Sequence, residues 1–171
     1  FTLAKQAKVS EKFTKEFNKN NLIKIVKLLN EKNKTKYSKD FIKHLASINI
    51  EKGSEILAGE LAIEIGRYDY AIQIAKQASY EKRFYNKLNY PVIEVPKTVN
   101  NKTMPKKEIV LAIIRQESEF DHKANSYVGA KGLMQLMTYT AKLVAKQAKL
   151  PYSKSRLKTD PYYNIMLGSY Y

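Results

Sequence analysis

A carboxylate at the end of an apolar helical run, with a glycine-punctuated turn after it, is the arrangement in this chain best suited to acid catalysis. The residues are Arg115-Gln116-Glu117-Ser118-Glu119-Phe120, then Gly129-Ala130-Lys131-Gly132-Leu133-Met134-Gln135-Leu136-Met137. The spacing predicts a helix from Lys106 to about Phe120. Ile109, Ile113 and Glu117 recur every four residues beside Val110 and Ile114, so Glu117 is expected to extend a buried apolar stripe. Partial desolvation there favours the protonated acid, the form a proton donor needs. Glu119 points about 200° away on the same helix and is expected to be the more solvated carboxylate. The competing reading is that Glu117 pairs with Arg115 or a lysine at a helix end.

The turn that follows supplies polar groups. Ser126 is placed to cap, to hydrogen-bond the carboxyl or to touch a ligand, and Gly129 and Gly132 fit tight turns or close approaches. Leu133, Leu136, Met137, Thr140, Ala141, Val144, Ala145 and Ala148 read as one helical stripe. Gln135 lies off that stripe, facing either a cleft or water, and the Met134/Met137 pair reads more simply as core. Asp160-Pro161 is an N-cap followed by proline at the first helical position, opening a last helix through Asn164, Leu167 and Gly168. The two histidines, His44 and His122, lie in different regions, so neither a metal site nor a Ser/His/Asp set assembles. No glycine spacing fits a phosphate loop, and no cofactor is called for.

The elements before this stretch are helical hairpins. Leu22, Ile25, Val26 and Leu29 form one apolar stripe; Phe41, Leu45 and Ile48 another, with Ser38 as its candidate N-cap; Ile56, Leu57, Leu61 and Ile65 a third, closed by Gly66. Ala71, Ile74, Ala75 and Ala78 begin a fourth. Pro91, Pro96 and Pro105, with Asn100-Asn101 between them, interrupt the pattern. The expected organisation is a helical-hairpin, solenoid-like region over 1–88, an extended connector over 89–104, and a further α domain over 105–171 that opens with Pro105 in its first turn. The fold class is all-α.

Composition narrows the function. The chain of 171 residues has no cysteine, which removes disulfides, zinc knuckles and thiol nucleophiles. No apolar run approaches the roughly 20 residues of a membrane span. The net charge of +15 implies affinity for something anionic or a well-solvated surface, and lysines such as Lys15, Lys19, Lys24 and Lys27 are spread singly along helices. No nucleic-acid-binding module is recognisable, so no nucleic-acid partner is expected. The first residue is Phe1 rather than Met, as in a processed or excised chain.

Several elements, in order, resemble the soluble lytic murein transglycosylases, whose catalytic domain has a goose-type lysozyme-like fold. They are Ala112 to Asp121 (AIIRQESEFD), Ala124 to Met137 (ANSYVGAKGLMQLM), Thr140-Ala141, and the N-x-x-x-G-x-x-Y element at Asn164, Gly168 and Tyr171. The match covers roughly Pro105 to Tyr171; residues 1–88 resemble more loosely the helical region that precedes that domain. The resemblance implies cleavage of the β-1,4 bond between N-acetylmuramic acid and N-acetylglucosamine in peptidoglycan glycan strands, in the periplasm. Glu117 falls on the catalytic glutamate, and Ser126, Gln135 and Met137 on the lining of the sugar cleft. His122 and Thr138 stand where the family usually has proline. The family's Ala-Tyr-Asn-Ala-Gly element is absent, so the chain is expected to carry only the first part of its catalytic domain. Two other readings stay open: a hydrolytic muramidase, and a non-catalytic helical scaffold that binds wall polymers.

Overall fold

In the computed structural model, which describes residues 8–171, the chain divides into two compact units, Phe1–Pro91 and Val92–Tyr171. The first is a run of helices: α1 (Glu11–Asn18), α2 (Asn21–Glu31), α3 (Thr35–Ser47), a 3-10 turn at Ile50–Lys52, α4 (Ser54–Glu64), α5 (Tyr68–Tyr80) and the short α6 (Asn86–Asn89). Successive helices pack against each other from α2 through α6, the arrangement expected of stacked hairpins. α4 sits at the centre, with Ile56, Leu57, Ala58, Leu61 and Ala62 all buried, because it is the one helix apolar on nearly every side.

The apolar faces are rotated slightly from those the spacing suggests. In α2, Val26 is fully buried while Ile25 is 40% exposed; Leu22 and Ile23 complete the inner face. In α3, Ile42, Leu45 and Ala46 face inward and Ile48 faces out. Ser38 does not cap α3. The helix begins earlier, at Thr35, and buries Ser38 within it, the hydroxyl donating to the Thr35 carbonyl at 3.1 Å. Gly66 does close α4: at φ 75° its N–H reaches Ile63 O (3.0 Å) and that of Arg67 reaches Ala62 O (2.8 Å), the paired bonds of a Schellman end.

Two buried ionic groups tie this unit together. Arg67 grips Asp69 through two hydrogen bonds of 2.9 and 2.6 Å and covers the Tyr70 ring at 3.9 Å. The Glu55 carboxylate, on α4, accepts from Arg83 twice at 2.9 Å and from the Tyr85 hydroxyl at 2.8 Å. Burial first, and then the bond to Glu55, push the Tyr85 phenol up to about 12.

The second unit opens with a small hairpin inside the proline-rich stretch. β1 (Thr98–Val99) pairs antiparallel with β2 (Lys102–Thr103) through a turn in which Asn100 and Asn101 both have positive φ. Asparagine tolerates that conformation, and two such central residues match the twist of a two-residue hairpin. Val99 and Met104 bury against Ala148, with Leu150, Met166 and Tyr170 around them, and Asn100 Nδ2 donates to the Ala148 carbonyl. Then come α7 (Lys107–Ser118), a long loop, α8 (Thr138–Gln147), the short α9 (Arg156–Thr159) and α10 (Pro161–Tyr170). Pro105 lies just before α7 rather than in its first turn, since Lys106 takes the N-cap position. Asp160 caps α10 as its sequence signals, accepting from the Tyr163 N–H at 3.0 Å, with Pro161 next.

The largest local departure is at Leu133–Met137, which is not helical. Gly132 (φ 73°) and Gln135 (φ 47°) both turn left-handed, Lys131 bridges Asn125 on one side and Leu136 on the other, and α8 starts only at Thr138. The apolar residues there follow helical spacing by coincidence of a tight loop that buries Leu133, Met134 and Leu136.

Candidate active site

Glu117 occupies the last turn of α7, which stops at Ser118 because Glu119 (φ 49°) and Phe120 (φ 64°) are both left-handed. The buried side of α7 carries Val110 and Ile114. Ile109 and Ile113, the row that leads to Glu117, are 52% and 40% exposed. Glu117 is therefore exposed, and the burial expected for it is absent. The four-residue spacing placed Glu117 correctly on the Ile109–Ile113 row, but the helix turns the neighbouring row, one residue on, into the core. Glu119 also departs from expectation. It is partly buried and forms the ion pair foreseen for Glu117, with Arg115 Nη1 3.4 Å from its carboxylate.

The end of α7 is tied to the glycine loop by its next residue. The Ser118 hydroxyl lies 2.8 Å from the Leu133 carbonyl and 3.2 Å from that of Ile114, a donor shared between helix and loop. Within the loop, Ser126 closes a turn upon itself: its Oγ accepts from the Ala130 N–H at 2.9 Å, its own N–H donates to the Ala130 carbonyl at 2.9 Å, and its carbonyl accepts from Gly129 at 3.0 Å. The Ser126 hydroxyl oxygen is thus engaged within its own turn. Gln135 bends back so that Nε2 donates to the Gly132 carbonyl at 2.9 Å, and Met137, at the N-cap position of α8, is 42% exposed. Ser126, Gln135 and Met137 thus share one loop, joined to α7 at the residue next to Glu117.

Two residues that the sequence marks as a motif position and a turn or close-approach glycine, Asn164 and Gly132, hold this loop. Asn164, on α10 and fully buried, donates through Nδ2 to Lys131 O (2.9 Å) and Leu157 O (3.0 Å) and accepts through Oδ1 from the Met134 N–H (2.9 Å). Gly132 fits beside it only because it lacks a side chain: a Cβ there would lie 2.1 Å from Leu157 O and 2.4 Å from Asn164 Nδ2. Gly168 similarly admits Met134, whose Sδ would be 2.4 Å from an added Cβ. The N-x-x-x-G spacing was the available signal, since it sets Asn164 and Gly168 one turn apart on a single face. Thr138, the first residue of α8, stands where proline is readily accepted. Among the described residues no group of three His, Asp or Glu could hold a metal, and no helix is long and apolar enough to cross a membrane.

This all-α unit, with a helix-end glutamate latched to a loop braced by a buried asparagine, matches the family model of the transglycosylase SLT domain over residues 94–171, and its fold is lysozyme-like. Its relatives are soluble lytic murein transglycosylases; that of Escherichia coli (strain K12) is 45% identical over 62 residues, 36% of this chain and 10% of the relative. The 70 kDa soluble lytic transglycosylase from Escherichia coli superposes with a TM-score of 0.74 at 23% identity, covering 97% of this chain and 27% of that one. An inactive glutamate-to-glutamine mutant of lytic transglycosylase Slt from Pseudomonas aeruginosa gives 0.71 at 24% identity, over 96% and 26%. The matched stretch therefore spans about a tenth of the length of the curated relatives, and the chain about a quarter of the length of the solved ones.

Proposed function

We propose that the second unit cleaves peptidoglycan as a lytic transglycosylase, with Glu117 as its single acid and base, in the periplasm. What supports this is the position of Glu117 at the end of α7, accessible to a polymer and joined through Ser118 to the loop of Ser126, Gln135 and Met137. Glu117 protonates the glycosidic oxygen between N-acetylmuramic acid and N-acetylglucosamine as the bond to C1 breaks. As carboxylate it then takes the proton of the muramic acid C6 hydroxyl, whose oxygen closes on C1 to give a 1,6-anhydro sugar without consuming water. One carboxylate serves both steps, where most glycosidases need two. A sugar laid along Ile109, Ile113 and Glu117 would itself exclude water from the acid, supplying in the complex the desolvation that the free chain lacks.

The exposure of Glu117 also favours a second reading, a non-catalytic helical module that binds wall polymers. One cavity of this unit, lined by residues of α8, does not include Glu117. Purified peptidoglycan incubated with the chain and with Glu117→Gln, followed by mass spectrometry of the muropeptides, separates the readings. Anhydro products that fall by about 100-fold or more in Glu117→Gln are expected for the transglycosylase. Reducing-end products mean hydrolysis by a muramidase, and binding without any product means the scaffold.

A further inference from the structure

The geometry points to a second binding site on the outer face of α8, which we propose takes an extended acidic peptide. Tyr139, Lys142, Leu143 and Lys146 recur at the spacing of one helix face, and with Leu150 and Tyr152 they line a shallow cavity of about 430 Å3. That volume lies within the range of small-ligand sites. Tyr139 is 80% exposed and Leu143 43% exposed, an apolar shelf left open to water. The end of α8 builds the far wall. Lys149 (φ 50°) turns the chain left-handed, its N–H reaching Lys146 O at 3.1 Å while that of Leu150 reaches Ala145 O at 2.8 Å, so Leu150 and Tyr152 fold back beside the helix.

The charge on the shelf selects the ligand. Both charged lining residues are lysines and none is a carboxylate, so an anion meets no repulsion from the wall. Lys142 and Lys146 lie one turn apart, about 6 Å along the axis. Alternate residues of an extended strand are separated by about 6.6 Å and point the same way. A peptide with carboxylates two residues apart therefore sets one on each lysine, with its apolar groups against Tyr139, Leu143 and Leu150. None of Glu117, Ser126, Gln135 or Met137 lines this shelf. It begins two residues after Met137, however, so a peptide there lies next to the loop of the candidate site. The proposal stands whether or not Glu117 is catalytic.

The test is a titration of the full chain with the blocked peptide Ac-Glu-Ala-Glu-NH2 and its amide counterpart Ac-Gln-Ala-Gln-NH2, followed by NMR of the Leu143 and Leu150 methyl groups. The acidic peptide is expected to shift both methyls and the amide peptide to shift them little. The double change Lys142→Glu with Lys146→Glu is expected to weaken binding by about tenfold, as loss of two exposed ion pairs implies. A control with the same net charge, Lys32→Glu with Lys36→Glu on the first unit, is expected to change it by less than about twofold. Equal response to both peptides, unmoved methyls, or an equal loss in the control would each overturn the proposal. So would chitotriose shifting the same methyls while the acidic peptide does not, which would mark a neutral-glycan surface instead.

Discussion

At the scale of single residues, the site depends less on its polar rim than on one buried amide. Asn164, itself fully buried, bonds the Met134 N–H and the carbonyls of Lys131 and Leu157 at once. Asn164→Ala removes the printed partner of the Met134 N–H and of the Leu157 carbonyl, while the Lys131 carbonyl keeps the Leu136 N–H at 3.1 Å, and at about 1–3 kcal/mol for each unsatisfied buried group a loss of about 2 kcal/mol or more is expected. Chemical denaturation monitored within the second unit checks this; a loss below about 1 kcal/mol would mean the loop is held some other way. Glu117→Gln, by contrast, changes an exposed side chain and is expected to leave stability within about 0.5 kcal/mol while removing activity. The carboxylate was legible in the sequence because its neighbours form so specific a string. Its exposure was not, because a four-residue spacing fits either of two adjacent rows on a helix. Only the packing of Val110 and Ile114 decides between them.

At the scale of elements, α2 to α5 were readable from apolar spacing while α1 and the short α6 were not, and the ends marked by Gly66 and by Asp160-Pro161 were readable from cap chemistry. The loop at Leu133–Met137 was misread as helix because its three core residues mimic helical spacing while the restraints that bend it come from Asn164, far along the chain. The Glu55 network was likewise invisible, since Arg83 and Tyr85 lie 28 and 30 residues from their partner. That network makes a prediction for pH. The Tyr85 phenol ionises near 10 in the unfolded chain and about 12 in the folded one, so its contribution to stability is intact below pH 10 and lost as pH rises through 12. Urea unfolding at intervals across that window is expected to show wild type losing on the order of 2 kcal/mol more than Tyr85→Phe. Parallel curves would show that the hydroxyl titrates alike in both states.

At the scale of the whole molecule, charge is shared between the units. Counting to Pro91, the first has 18 basic and 10 acidic residues, 18 − 10 = +8; the second has 13 and 6, 13 − 6 = +7. The excess is thus not confined to the region before the candidate site, because Lys97, Lys102, Lys106 and Lys107 belong to the second unit. A field of this size draws the chain toward a polymer bearing carboxylates and is screened by salt. Retention on isolated peptidoglycan is expected to fall by about tenfold between 0.05 and 0.5 M salt; salt-independent retention would show that apolar contacts hold the chain there. The asparagine brace has a further consequence, one of time rather than energy. The loop it fixes precedes it by 30 residues at Met134 and 33 at Lys131. At a synthesis rate of about 5–20 residues per second, Glu117 and its loop leave the ribosome seconds before the amide that gives the loop its shape. The glutamate proposed as catalytic is therefore made early, and the loop beside it takes its braced shape only once Asn164 of α10 has emerged.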